Sequence, residues 1–135
     1  MDLQNSLVIS ASGLRAQSER MRVIAENLAN ADSTALVPDG DPYRRKIVTF
    51  ANVLDRERGV STVQVSRIMP APGQFGTRFD PNHPAADGAG YVATPNVNTL
   101  VEMMDMRQAQ RSYEANLSAM ETSKAMLVRT IDLLK

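Results

Sequence analysis

Three side chains in one short loop have the chemistry of a metal or proton-transfer site: Asp80, His83 and Asp87, within DPNHPAADG. Histidine is the commonest protein ligand for metals, and two carboxylates could complete a zinc-like set. Pro81, Pro84 and Gly88 interleave with them, however. Asp-Pro-Asn-His-Pro forms a turn without any metal, because an aspartate side chain satisfies nearby loop amides. The turn is the preferred reading, and a small metal-dependent enzyme is the competing one. With one histidine and no cysteine, a nucleophilic triad has only His83 to recruit, and disulfides and thiolate metal sites are excluded. No glycine-rich phosphate loop precedes a helix. The residues therefore predict no catalytic site, no metal and no cofactor: a protein that is not an enzyme and has no small-molecule substrate.

A second polar cluster, ENLANADST from Glu26 to Thr34, holds Asn27, Asn30, Asp32, Ser33 and Thr34. It contains no nucleophile–base pair. Asparagine and aspartate enter left-handed conformations and bond neighbouring backbone groups, so this cluster is expected to end a helix. PYRRK, Pro42 to Lys46, is a basic run with one aromatic, too little for a nucleic-acid surface. It is expected on a solvated strand face or in a salt bridge to a neighbouring chain. Fifteen basic and fifteen acidic residues cancel, which gives no electrostatic reason for nucleic acid or anionic lipid as partner. It also removes self-repulsion between copies.

The elements that must position these residues follow from composition. All seven prolines lie between Pro38 and Pro95, with six of the seven glycines, so helix is expected on either side of that block. The expected segments are an N-terminal helix over 1–33, a proline- and glycine-rich middle with short strands over 34–97, and a C-terminal helix over 98–135. Leu7, Leu14, Met21 and Leu28 are spaced by seven, with Leu3, Ile24 and Ala31 on a second row that Ser10 and Gln17 dilute. Met106, Tyr113, Met120, Leu127 and Leu134 repeat the spacing, flanked by Met103, Leu117 and Ile131 and interrupted by Gln110 and Lys124. These are heptad seams.

Thr99-Leu-Val-Glu102 has the form of a capping box opening the second helix. In the middle, 45–50 and 60–68 predict strands joined at Gly59, with shorter extended pieces at GQFGTRF and YVAT. The expected fold is mainly α: long N- and C-terminal helices forming a coiled-coil hairpin, with a small, loop-rich middle segment containing a β-hairpin. Their apolar rows are narrow, and sustained order calls for neighbours. Asp2 and the short apolar run Leu7–Ile9 do not make a cleavable signal peptide, and no window approaches the ~18 apolar residues of a membrane span. Taken alone, these features suggest a cytoplasmic protein.

NLANADS is similar to the rod motif N-[LI]-A-N-x-x-T at Asn27, Ala29 and Asn30, with Ser33 in place of threonine. PDGDPYRRK, DPNHPAADGAGYVATPNVNTLVEMMDM and RSYEAN continue the likeness over nearly the whole chain. The chain resembles the proximal-rod proteins of the bacterial flagellum, in particular their short C-type members. They belong to the axial family that also includes the distal rod and hook.

The resemblance implies a structural subunit of the basal-body rod, exported through the flagellar apparatus without a cleaved signal. That replaces the cytoplasmic expectation with a periplasmic one. It implies polymerisation into a helical tube that transmits torque and encloses the export channel. The implied partners are copies of itself, other proximal-rod proteins, the distal rod, and basal-body ring and export-gate components. Leu7, Leu14, Met21, Asn27, Leu28, Asn30, Met106, Tyr113, Met120, Leu127 and Leu134 are the expected subunit-interface residues. An injectisome needle or inner-rod subunit is the related alternative, but those chains are shorter and lack so proline-rich a middle.

Overall fold

The computed structural model describes residues 2–135. Six elements follow in chain order: α1 (Leu3–Ala29), β1 (Lys46–Asp55), β2 (Val60–Pro70), β3 (Gly76–Phe79), β4 (Tyr91–Thr94) and α2 (Thr99–Leu133). Asp2 caps α1, its carboxylate accepting from the Gln4 amide at 2.9 Å. β1 pairs with β2, and β3 pairs antiparallel with β4 in the register Gly76↔Thr94 to Phe79↔Tyr91. The chain divides into two compact units, each built from separated pieces.

The first unit comprises the chain up to Met21, Val48–Arg67 and Arg107–Lys135. The hairpin turn is made by Asp55, whose carbonyl accepts from Gly59 at 2.8 Å while its carboxylate accepts from the Glu57 and Arg58 amides. Gly59 sits at φ 67°, where a side chain is strained. Ser12 joins α1 to β2: its hydroxyl donates to the Ile9 carbonyl at 2.7 Å and accepts from the Val63 amide at 3.2 Å. Between α1 and α2 the contact is made by small polar groups, the Ser6 and Ser123 hydroxyls at 2.9 Å and Gly13 against the Asn116 amide. Ala16 and Ala109 are the buried apolar residues here, and no larger apolar side chain of this unit is buried among the described residues.

The second unit comprises Arg22–Ile47 and Ile68–Met106. Its core is Val23, Ile24, Ala71, Ala85 and Val92. The Phe79 and Tyr91 rings meet edge to face at 5.3 Å. Arg44 donates to the Ala71 and Gly73 carbonyls and lies 4.2 Å over the Phe75 ring, closing the segment after β2 onto the segment before β1.

The expectation of a mainly α coiled-coil hairpin is corrected. The chain is 46% helix and 22% strand, with two antiparallel hairpins beside the two long helices. Two physical causes stand out. β1 and β2 run to 10 and 11 residues, longer than the expected 45–50 and 60–68, because cross-strand pairing carries them on to Asp55 and Pro70. On α2 the inward row beside Met106, Tyr113 and Met120 is Glu102, Ala109 and Ser123, all buried. The apolar Met103, Leu117 and Ile131, expected in that row, are exposed. In the first unit serines and a glycine against an asparagine replace the apolar knobs that define a coiled coil.

That replacement makes a prediction. A Cβ on Gly13 would stand 2.7 Å from Asn116 Nδ2 and 2.8 Å from its Cγ, and the amide is held by a bond to the Ser112 carbonyl at 3.0 Å. Gly13→Ala gains roughly 1 kcal/mol of helix propensity but meets an overpacking cost of about 1–3 kcal/mol. A net loss of about 1 kcal/mol in urea unfolding is expected, and the sign should reverse in an Asn116→Ala background.

Candidate functional site

The end of α1, the strand that follows it and the first turn of α2 meet in the second unit. The helix ends at Ala29, where Asn30 closes the Glu26 carbonyl twice: its backbone N–H at 3.1 Å and its side-chain amide at 2.9 Å. The Ser33 hydroxyl then donates to Asn30 Oδ1 at 3.0 Å and its N–H to the Asn30 carbonyl at 3.1 Å. The polar cluster thus does end the helix. The left-handed conformation expected of it is absent, since no non-glycine residue among those described has positive φ. Side-chain capping of carbonyls makes that conformation unnecessary.

Asn27 is the centre of the site and is 1% exposed. Its Nδ2 donates to the Lys46 carbonyl at 2.8 Å, and its Oδ1 accepts from the Lys46 amide at 2.9 Å. One side-chain amide therefore satisfies both backbone groups of Lys46, as a neighbouring strand would. Oδ1 also accepts from the Tyr43 hydroxyl at 2.7 Å, and Nδ2 lies 3.4 Å from Glu102 Oε2. Aspartate lacks the donors for this arrangement.

Glu102, also 1% exposed, is bonded by the Arg45 guanidinium, which reaches Asp105 at 3.7 Å as well. Arg45 is held at its backbone, its N–H donating to Asn96 Oδ1 at 2.8 Å and its carbonyl accepting from Ala71 at 2.8 Å. Lys46 pairs with Glu26. Arg45 and Lys46 of the basic run PYRRK are thus paired within the chain, and the Lys46 side chain keeps 42% of its surface exposed. Glu102 is likewise no capping-box partner. Asn98 caps α2, its carboxamide oxygen accepting from the Leu100 and Val101 amides at 3.1 and 3.3 Å. Asn98→Ala should cost about 1 kcal/mol in thermal unfolding, whereas Thr99→Ala should stay within about 0.5 kcal/mol.

Burial, and then the nearby Glu26 and Glu102 carboxylates, push the Tyr43 phenol above its ordinary value. The folded state therefore holds this proton more tightly than the unfolded chain does. The associated stability is complete below about pH 10 and is lost as pH rises through the folded-state value. Alkaline unfolding should show this fall, and Tyr43→Phe should remove it.

Asp80, His83 and Asp87, weighed as a metal set but read as a turn, make turn bonds: the His83 amide donates to the Asp80 carbonyl at 3.1 Å. His83 Nε2 lies 3.0 Å from the Thr34 hydroxyl and its Nδ1 accepts from the Ala85 amide, while Asp87 accepts from the Ala89 and Tyr91 amides. Among the described residues no three His, Asp or Glu stand together as a metal-holding group. Of the expected interface residues, Leu7, Leu14, Met21, Leu28, Asn30, Met106, Tyr113, Met120 and Leu127 are half-buried, Asn27 is buried, and Leu134 is 82% exposed. Tyr43, Arg45, Asn96 and Glu102 were missed as members of the Asn27 network. Their bonds to one another span 51 and 57 residues, and no local spacing announces them.

This polar network locks the end of α1 to the strand that follows it and to the first turn of α2. Two known families match the chain: flagella basal body rod protein over residues 7–35, and flagellar basal body rod FlgEFG protein C-terminal over 89–133. The first contains the Asn27 helix end and the second the Glu102 turn. The chain belongs to the flagellar basal-body rod protein family. Within it, the chain is 50% identical over 127 residues to the flagellar basal-body rod protein FlgC of Agrobacterium fabrum, covering 94% of this chain and 91% of the relative. It is 42% identical over 135 residues to FlgC of Salmonella typhimurium, covering 98% of each. It is 44% identical over 133 residues to FlgC of Aquifex aeolicus, covering 98% of this chain and 97% of that one.

Proposed function

We propose that this chain acts as a structural subunit of the flagellar basal-body proximal rod, polymerising into a helical tube that carries motor torque across the periplasm and encloses the export channel. The family supports the rod assignment. One structural observation carries the argument for assembly. The first unit buries only alanine and small polar side chains, while Leu117, Met126, Val128, Ile131, Leu133 and Leu134 of the same unit are exposed. Such a core supplies little hydrophobic stabilisation, and the exposed side chains supply it only when a neighbour covers them.

In this reading residues 1–33 and 98–135 are the axial segments and 34–97 lies between them. Leu7, Leu14, Met21, Leu28, Met106, Tyr113, Met120, Leu127 and Leu134 contribute apolar area to subunit contacts. Asn27 and Asn30 define where the helix ends. Neighbours are further copies, other proximal-rod proteins, the distal rod, and ring and export-gate components. The chain reaches them by flagellar export without a cleaved signal, and it performs no catalysis.

The test is electron microscopy of basal bodies from cells lacking this chain. Rods that stop before the distal segment, restored by the full chain carried on a plasmid, are expected. Complete rods and normal swimming without it would overturn the reading.

A further inference from the structure

We propose that the loop between Ser33 and Tyr43 is a docking peg, and that it seats in a groove on a second copy of this chain. The inference rests on the subunit reading and specifies one of its contacts. The Tyr43 amide donates to the Ser33 carbonyl at 2.9 Å and closes the neck of the loop, and the Gly40 amide donates to Val37 at 3.1 Å and turns its tip. A Cβ on Gly40 would stand 2.8 Å from the Ala35 Cβ and 3.1 Å from Val37 Cγ2, so the loop is packed on itself. It is a compact loop with its ends together, a form often given to function.

Despite that packing, its two largest apolar side chains face water: Leu36 is 83% exposed and Val37 58%. Asp39 and Asp41 follow them in the same loop, both exposed. Neither carboxylate has an ion pair or hydrogen bond among the described residues. The peg is therefore an apolar pair with an acidic rim.

The same unit carries the complementary surface. A groove of about 510 Å³ is lined by Ile68, Met69 and Pro70 with Tyr43, Arg44 and Lys46, within the size range of pockets that take small apolar groups. Methionine lets such a wall adapt to an incoming side chain. Arg44 is held in place by two carbonyls and the Phe75 ring, and among the described residues no carboxylate pairs with it. Apolar floor meets apolar tip and cationic rim meets acidic rim. Leu36 does not occupy its own chain's groove, since it is open to solvent, so the contact joins two copies through different patches. Head-to-tail contacts of this kind build open helical filaments when the rotation does not close.

The test places the photoreactive p-benzoylphenylalanine at Leu36 in the full chain and irradiates cells before basal bodies are isolated. A dimer whose cross-linked peptide joins position 36 of one copy to 68–70 of another is expected. Asp39→Lys with Asp41→Lys should lower its yield by about three- to tenfold. If the bulky residue blocks incorporation, Leu36→Cys and Met69→Cys on separately expressed chains give the same readout, because the chain has no cysteine of its own. A product mapping elsewhere, a product with a different protein, or none from basal bodies that contain the chain would overturn the peg and leave the rod reading standing. Basal bodies that lack the unmodified chain would overturn both.

Discussion

Asn27→Ala should destabilise the protein by about 4 kcal/mol, the sum of two or three buried polar groups left unpaired at roughly 1–3 kcal/mol each. The Lys46 amide and carbonyl and the Tyr43 hydroxyl all lose their partner at once, around a side chain that is 1% exposed. Against a total of about 5–15 kcal/mol for a typical domain, that is a large fraction. Urea unfolding measures the loss, and faster hydrogen exchange at the Lys46 amide localises it. Asn27→Asp separates acceptor from donor. It keeps an oxygen for Lys46 N–H and Tyr43, but it cannot donate to the Lys46 carbonyl and sets a second carboxylate beside Glu102. Near neutral pH it should be nearly as damaging, with partial recovery on acidification. A loss under about 1 kcal/mol for Asn27→Ala would remove this side chain from the centre of the site.

Glu102→Ala is expected to cost about 3 kcal/mol, the lower end of the range for breaking a buried ion pair, because Arg45 retains 28% exposure and a second carboxylate at Asp105. Glu102→Gln keeps an oxygen for the guanidinium and should lose about half as much. The informative variant removes both charges. Arg45→Leu with Glu102→Leu leaves no fully buried ion unpaired, Asp105 being 34% exposed, and should be more stable than Glu102→Ala, since the cost lies in the unpaired partner. Chemical denaturation of the set reads this directly. A double variant less stable than Glu102→Ala would mean that the pair stabilises by its own attraction.

Much of this protein is legible in its sequence because it is local. Proline and glycine confined to the middle mark where long helices are impossible, and the observed helices, Leu3–Ala29 and Thr99–Leu133, lie outside that region. NLANADS marks a helix end because short polar side chains compete for backbone groups, as Asn30 does with the Glu26 carbonyl. The same residues carry the family resemblance, which needs no coordinates.

Which side of each helix faces inward was decided only in three dimensions. On α2 the row Glu102, Ala109, Asn116, Ser123 has the same seven-residue spacing as Met106, Tyr113, Met120, Leu127, so periodicity alone cannot rank one inward row above another. Close approach at Ser6–Ser123 and at Gly13–Asn116 selects the small polar row, and Met103, Leu117 and Ile131 are left outside. The roles of Asn27 and Glu102 have the same origin. A buried amide or carboxylate is tolerable only where its partners are supplied, and here they come from Lys46, Tyr43 and Arg45. These residues are distant in the chain and become neighbours only when the strand after α1 is laid against both helix ends.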